Sequence, residues 1–341
     1  MSATIHDVAA KAGVSISTVS RVLNRSSPVS SSKQALVIEA AQALGYSPNP
    51  AALSLLSKRT GGIGVLLPYL TGEFFSELLR GLDDAAHEHD LILIVSSSHR
   101  RPSEFQRSMR MLDKRVDGLI VMAPEIDAVS AASILEGSTP VVFVNTYADG
   151  VPADRIDFDN HAGAYAVTRH LLDLGHQRIA LVRGPDAARD AQERARGYRD
   201  AMAEAGVADT SGLEAEGGYT REAGFDAVQE IMRWDERPTA IVAANDYCAK
   251  GVMSALSKRG VRVPEEVSVT GFDGLPSGEY SVPPLTTVRV PIYEIGRRAV
   301  RQLAARIGGN GADGGHRRYV EAAEVVVRGS AAARRGDGGA A

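Results

Sequence analysis

From residue 61 onward, short apolar runs alternate with segments long enough to form helices, and this alternation restricts the folds open to the chain. The runs 63–67, 91–95, 118–122 and 141–144 are typical of buried strands, and helix-length segments such as 77–89 separate them. Strands joined through a helix pair in parallel, because the crossover returns the chain to the same end of the sheet. The pattern predicts a parallel sheet with crossover helices.

A second series begins near Asn160 and repeats the alternation. Helices are expected over residues 160–174, 194–205, 222–233 and 246–258, and strands over 179–182, 240–243 and 267–271. A last helix at 292–307 and a strand at 325–327 come late in the chain. We therefore expect two lobes that exchange segments, one with residues 61–158 and 289–319 and the other with residues 159–288 and 320–330.

The first 24 residues predict two short helices joined by a tight turn. Thr4 and Asp7 have the spacing of a capping box, and Gly13 supplies the left-handed residue that ends a helix. Ser15 is placed to cap the second helix, on which Val19 and its helical neighbours form the buried side. A third helix begins at Ser30. A helix-turn-helix of this size predicts double-stranded DNA as a partner.

The charge distribution agrees with that partner. The whole chain of 341 residues has a net charge of −4, yet the first 60 residues hold six Lys and Arg against two Asp and Glu. A basic end on an acidic body favours contact with phosphates through that end. No stretch approaches the roughly 20 apolar residues of a membrane span, and the N-terminus lacks an export signal. We expect a cytoplasmic protein without a membrane partner.

The N-terminal motifs also resemble a known family. Asp7-Val8-Ala9, Ala12-Gly13-Val14-Ser15 and the segment 18–24 resemble the DNA-binding headpiece of the lactose/galactose repressor (LacI/GalR) family, and the likeness continues to residue 330. The resemblance implies an all-α headpiece at 1–46, a linker with a hinge helix at 47–60 and a type I periplasmic-binding-protein-like α/β core at 61–330. Residues 331–341 are expected to be disordered. They lack leucine heptads, which favours a homodimer over a tetramer.

The resemblance assigns roles to the headpiece residues. It implies that the second helix enters the major groove of a pseudo-palindromic operator, and that the hinge helix enters the minor groove. A flexible linker with incidental apolar residues is the alternative for the hinge. The expected major-groove residues are Ile16, Ser17, Ser20 and Arg21; the phosphate contacts are Thr4, His6, Thr18, Asn24 and Ser30; the hinge contacts are Ala52 and Leu55.

Polar residues after the predicted strands indicate a ligand site, because ligands of doubly wound sheets bind beyond the carboxyl ends of the strands. Their carboxylate, amide and guanidinium groups suit a sugar. The resemblance adds aromatic and apolar walls. Just before the residue that matches Arg194, the purine-binding members of the family have basic and hydroxyl residues, whereas this chain has Ala188 and Asp190. A sugar is therefore favoured over a purine corepressor as the effector. The expected effector residues are Phe74, Phe75, Asn145, Asp190, Arg194, Tyr219, Asn245, Asp273 and Ile292. For Asn245 and Asp246, a helix cap is the alternative role.

The other motifs do not indicate a catalytic, cofactor or metal site. Gly61-Gly62-Ile63-Gly64 precedes a strand and lacks the helix that a dinucleotide loop requires, and His87 and His89 point to different helix faces. No nucleophile elbow is present. The sequence therefore predicts no enzyme, cofactor or metal site, but a ligand-controlled regulator of transcription, with repression favoured. The alternative is a sugar-binding or sugar-processing protein that does not bind DNA.

Overall fold

The computed structural model describes residues 3–23, 28–46, 59–112, 115–135, 137, 139–147, 149–309 and 315–334. The chain divides into two compact units, residues 1–61 and 62–341. Three predicted contacts, Asn24 of the headpiece and Ala52 and Leu55 of the hinge helix, lie outside the described residues, as does most of the predicted linker. No described helix is long and apolar enough to cross a membrane.

The first unit contains the predicted helix-turn-helix. Its helices are α1 (Ile5–Ala12), α2 (Ile16–Leu23) and α3 (Ser31–Ala43). Thr4 caps α1 through the predicted capping box, in which the Thr4 backbone N–H donates to Asp7 Oδ2 at 2.8 Å. Gly13 ends α1 with φ of +64°, in the left-handed region. The three helices share one small apolar core, formed by Val8, Ala9, Ala12, Val19, Val37, Ala40 and Ala41.

The first lobe of the second unit is built on a parallel sheet. Its strands are β1 (Gly62–Leu67), β2 (Ile92–Ser97), β3 (Gly118–Val121), β4 (Val141–Val144), β5 (Asp154–Phe158) and β11 (Arg318–Glu321), in the order β2-β1-β3-β4-β5-β11. Its helices are α4 (Glu73–Glu88), α5 (Pro102–Leu112), α6 (Ala128–Ile134) and α11 (Ile292–Ile307). The prediction of β2 as a buried strand is wrong: β2 is an edge strand, and Ile92 is 71% exposed.

The second lobe repeats the arrangement. Its strands are β6 (Ile179–Val182), β7 (Glu214–Ala215), β8 (Ala240–Ala243), β9 (Ser268–Asp273), β10 (Thr286–Arg289) and β12 (Glu324–Val326), in the order β7-β6-β8-β9-β10-β12. β12 pairs antiparallel with β10, and the other pairs are parallel. Its helices are α7 (Asn160–Asp173), α8 (Arg189–Glu204), α9 (Arg221–Ile231) and α10 (Asp246–Lys258).

The chain passes between the lobes three times. The passages follow Phe158, lie between Arg289 and Ile292, and lie between Glu321 and Glu324, since β11 belongs to the first sheet and β12 to the second. The last passage therefore comes after residue 321, later than the boundary expected between residues 319 and 320. The α/β core with two parallel-stranded lobes agrees with the predicted fold class.

Glycines allow the paired helices of each lobe to pack closely. A Cβ added at Gly81 of α4 would lie 2.0 Å from the Tyr293 carbonyl oxygen of α11. In the second lobe, a Cβ added at Gly251 of α10 would lie 2.0 Å from the Arg221 carbonyl oxygen of α9. Neither distance is possible for a real side chain, so glycine is required at both crossings.

The start of the predicted disordered tail is ordered. Ala331 is buried, and the backbone N–H of Arg334 donates to the Leu174 carbonyl at 2.9 Å. The buried His176 lies with Nε2 3.0 Å from the Ala332 carbonyl oxygen. The prediction is thus wrong for residues 331–334, which pack on the second lobe, and residues 335–341 lie outside the described residues.

Candidate functional site

The carboxyl ends of strands from both lobes carry the polar residues that the sequence singled out. Asn145 directly follows β4 in the first lobe, while Asp273 ends β9 in the second. Arg194 lies on α8, which follows β6. This is the edge at which doubly wound sheets bind ligands, and here the edges of two sheets contribute to one cluster.

Arg194 is the centre of the cluster. Its guanidinium is nearly inaccessible, with the residue 7% exposed, and it lies 3.8 Å from the centre of the Phe272 ring. Nε donates to Asn160 Oδ1 at 2.9 Å and Nη1 donates to the Ala244 carbonyl at 2.8 Å, while Nη2 is 3.5 Å from Asp273 Oδ1. These contacts fix the guanidinium plane and place a cation beside Asp273.

Asp273 is a strained and buried carboxyl group. Its φ of +115° lies in a region that non-glycine residues rarely adopt, which is a common feature of functional sites. Burial raises the pKa of Asp273 well above its ordinary value, and the neighbouring Arg194 opposes that rise. Burial also raises the pKa of the adjacent Asp246 to about 6. A carboxylate in such surroundings gains from any hydrogen-bond donor that a ligand supplies.

Asn160 joins the two lobes, a role that the sequence motifs do not indicate. Its Nδ2 donates to Asn145 Oδ1 at 3.1 Å and to the Tyr147 hydroxyl at 3.3 Å, while its Oδ1 accepts from Arg194. Asn160 opens α7 immediately after β5. Because β5 was not predicted, the position of Asn160 at a strand end could not be recognised.

Among the residues that the structure describes, three buried polar atoms of the cluster make no hydrogen bond of good geometry: Asn145 Nδ2, Glu125 Oε2 and the Tyr219 hydroxyl, which has a looser contact with Asp190. Glu125 Oε2 lies 3.9 Å from Arg100 Nε, and the Arg100 guanidinium is 5.7 Å from the Tyr219 ring. Buried polar groups are nearly always paired in folded proteins. Unpaired donors and acceptors from both lobes therefore suit a ligand that carries several hydroxyl groups.

The aromatic residues of the predicted wall lie together. The Phe74 and Phe75 rings meet edge to face, with their centres 5.2 Å apart, and Phe74 is 6.4 Å from Phe158. Tyr219 lies 5.6 Å from the Arg194 guanidinium. Ile292 is buried in the hydrophobic core against which Phe74 and Phe75 also pack. Phe74 and Phe75 thus place apolar ring surface at the start of α4.

Three acidic or amide side chains accept hydrogen bonds within the protein, which reduces what they offer to a ligand. Asn245 caps α10, since its Oδ1 accepts from the Cys248 backbone N–H at 2.8 Å. Asp246 is not the cap, because its carboxylate accepts from the Leu275 N–H at 2.7 Å and from the Thr287 hydroxyl. Asp190 Oδ1 accepts from the Ala191 N–H at 2.9 Å. The helix-cap alternative is correct for Asn245.

The first unit presents the predicted face of α2. Val19 is fully buried, whereas Ile16 is 42% exposed and Ser17 and Arg21 are exposed. Ser20 is half-buried. The predicted phosphate-contacting residues Thr4, His6 and Ser30 are exposed and Thr18 is half-buried. This face of α2 carries a guanidinium group, hydroxyl groups and an apolar side chain, and groups of these kinds contact base edges in the major groove.

The part of the chain that the structure describes contains no cluster of three or more His, Cys, Asp or Glu side chains able to hold a metal. Cys248 is buried, and this burial raises its pKa to about 12, which keeps it a thiol at neutral pH. The site therefore offers hydrogen bonds, charge and ring surface.

Comparison with known proteins agrees with both units. Residues 4–49 match the model for bacterial regulatory proteins of the lacI family, and residues 168–331 match a periplasmic binding protein-like domain. The chain is 34% identical to catabolite control protein A of Priestia megaterium, across 89% of this chain and 92% of that protein. It is 36% identical to the HTH-type transcriptional repressor PurR of Vibrio cholerae, across 89% and 91%.

Two solved structures extend the comparison. A lac repressor dimer bound to operator and the anti-inducer ONPF superposes with a TM-score of 0.88 at 29% identity, covering 98% of this chain and 100% of that one. A complex of the transcriptional regulator CelR with cellobiose superposes with a TM-score of 0.72 at 30% identity, covering 96% and 99%. The relatives that match both units are regulators of transcription.

Proposed function

The chain belongs to the lacI family of bacterial DNA-binding repressors, and from this premise we propose that a sugar or sugar derivative, bound between the lobes, controls its affinity for operator DNA. The observation that carries the proposal is the buried Arg194–Asp273 pair beside unpaired polar atoms from both lobes. A ligand that contacts both lobes changes the free-energy difference between their open and closed arrangements. Because this arrangement affects DNA binding, the ligand changes the affinity for DNA, and DNA changes the affinity for the ligand by the same factor.

A sugar suits the cluster better than a purine. Carboxylate, guanidinium and amide groups exchange hydrogen bonds with several hydroxyls, and the Phe74 and Phe75 rings offer an apolar face to a sugar ring. CelR was solved with cellobiose, whereas several relatives are named PurR. A purine as corepressor is the second candidate, and a thermal-shift screen against sugars and nucleobases distinguishes the two.

For DNA, we propose that α2 enters the major groove, with Ile16, Ser17 and Arg21 at base edges and Ser20 beside them. Thr4, His6, Thr18, Asn24 and Ser30 hold phosphates. Ala52 and Leu55 act in the minor groove. Two copies related by a two-fold axis then read a pseudo-palindromic operator. As a DNA-binding regulator, the protein acts in the cytoplasm.

We expect an exposed apolar loop of the second lobe to form part of the dimer interface. Tyr280 is 84% exposed and Val282 is 94% exposed, and side chains of this kind favour burial against a second copy. We expect Val282→Asp and Tyr280→Asp each to raise the dimer dissociation constant about 100-fold, because burying a charge in an apolar contact costs about 2–3 kcal/mol. Sedimentation equilibrium measures this constant.

The matched control is Val129→Asp, since Val129 is also a surface valine, 78% exposed, but is the single large exposed apolar side chain of α6, whereas Tyr280 and Val282 lie two residues apart. We expect this variant to dimerise like the wild type. Wild-type dimerisation in both Tyr280→Asp and Val282→Asp would remove this loop from the interface.

The proposed function is tested by selection from random duplex DNA. We expect the full-length protein to enrich one pseudo-palindromic sequence, with binding that weakens steeply as salt rises. A chain that begins at residue 59 should enrich none, while its melting temperature should respond to the same ligand as that of the full-length protein. A full-length protein that enriches no sequence contradicts DNA regulation and favours the alternative of a sugar-binding protein.

A further inference from the structure

A second polar contact joins the lobes at Glu73, in the first turn of α4. The backbone N–H of Ser277, in the second lobe, donates to Glu73 Oε1 at 2.9 Å. The Ser277 hydroxyl donates to Glu73 Oε2 and accepts from Lys250 Nζ, which lies 3.7 Å from Glu73 Oε2. One carboxylate of the first lobe thus holds a backbone amide, a hydroxyl and an ammonium group of the second.

The contact is sheltered enough to contribute to closure. The side chain of Glu73 is 29% exposed and that of Lys250 is 13% exposed. Hydrogen bonds to a charged group are about twice as strong as neutral ones, and partial burial reduces the screening by salt. Lys250 also faces Asp246, which attracts its ammonium group, and Arg221, which repels it; both belong to its own lobe.

A different contact between the lobes is weaker by the same criteria. Arg189 lies over the Tyr147 ring at 4.9 Å, and its Nη2 is 3.9 Å from Asp149 Oδ2. Both charged side chains of this pair are more than half exposed. Exposed pairs at such distances contribute little. Of these two contacts, that of Glu73 therefore has the larger share in holding the lobes together.

We propose that Glu73, Ser277 and Lys250 form a latch that stabilises the closed arrangement of the lobes before any ligand binds. Glu73 directly precedes Phe74 and Phe75, so the latch also fixes the start of the helix that carries the aromatic wall. As a regulator of ligand binding, the latch rests on the proposed function. A larger closed fraction raises the apparent affinity for a ligand that binds the closed form, because less binding energy is spent on closure.

The test measures the distance between the lobes in the full-length protein without ligand or DNA. Spin labels at Arg107→Cys on α5 and Glu230→Cys on α9 report that distance by double electron–electron resonance, and Cys248 is too buried to be labelled. Glu73→Lys places two ammonium groups in the latch. We expect it to lower the ratio of closed to open molecules about 100-fold and to shift the distribution to longer distances.

The matched control is Glu77→Lys. Glu77 lies one turn later on the same helix, with a side chain 24% exposed, and it pairs with Arg80 of that helix at 2.6 Å. We expect its distances to equal those of the wild type. We expect the charge-swapped variant Glu73→Lys with Lys250→Glu to recover the short distance in part, because the ion pair returns but lysine cannot accept from the Ser277 N–H. Wild-type distances in Glu73→Lys overturn the latch. Since neither ligand nor DNA is used, that result is distinct from a failure to select an operator.

Discussion

Replacing Arg194 with methionine is expected to lower the free energy of unfolding by about 3–5 kcal/mol, the cost of leaving a buried charge without its partner. The variant leaves Asp273 without its cation, and it leaves Asn160 Oδ1 and the Ala244 carbonyl without a donor. Urea denaturation, followed by circular dichroism, measures the loss. Arg194→Lys keeps the charge but not the planar set of donors, so we expect an intermediate value.

The same variant is expected to weaken ligand binding by at least about 100-fold, because a charged hydrogen-bond group at the centre of the cluster is lost. Titration calorimetry with the compound that stabilises the wild type in the thermal-shift screen measures the change. The control is Arg196→Met, two residues along α8, whose exposed side chain pairs with Glu193. We expect Arg196→Met to change neither quantity appreciably. A folded Arg194→Met protein with wild-type affinity would exclude this cluster as the effector site.

Arg21→Ala is expected to lower operator affinity by about 10–100-fold and to relax the base preference at one position in each half-site, since a specific base contact contributes about 1–3 kcal/mol. Arg21 is an exposed cation on the face of α2 opposite the buried Val19. Fluorescence anisotropy with the selected operator and with single-base variants measures both effects.

Lys11→Ala is the control for the loss of one positive charge. Lys11 is exposed in the last turn of α1, outside the proposed reading helix. We expect it to change affinity equally for all sequences, if at all. If Arg21→Ala also weakens binding uniformly, with the selected sequence unchanged, Arg21 contacts phosphate and the base-reading role belongs to other residues of α2.

The periodicity of apolar residues is sufficient to predict the bounds of helices and strands where an apolar run has clear ends. The bounds of β4, β8, α10 and α11 agree with the prediction, because each is a continuous apolar run or an amphipathic helix between turn residues. β5 was missed for a physical reason. Its residues include the charged Asp154 and Arg155, which are buried because ion pairs satisfy them; Asp154 Oδ1, for example, accepts from Arg306 Nη2 at 2.7 Å. The partner of Asp154 lies far along the chain, whereas Arg155 pairs with the nearby Asp149 and Asp157. A hydrophobic pattern cannot reveal that charges paired in this way are buried.

The candidate site, like the fold, could be predicted only in part from the sequence. Arg194 and Asp273 were expected from the family motifs, and the structure brings them within 3.5 Å of each other. Asn160 and Glu73 were not expected, because their importance comes from contacts across the lobes. For the cap of α10 the sequence left both Asn245 and Asp246 open, and the hydrogen bond from the Cys248 N–H to Asn245 Oδ1 decides for Asn245. Sequence motifs thus identify the cluster, while the links between the lobes require the structure.

The central claim is that a small ligand controls binding to DNA, and the most direct measurement is the operator dissociation constant of the full-length protein with and without saturating ligand. We expect the ligand to change this constant by about 5–150-fold, the usual range for allosteric coupling, and we expect operator to change the ligand affinity by the same factor. A ligand that binds the core but leaves the operator dissociation constant unchanged would contradict it.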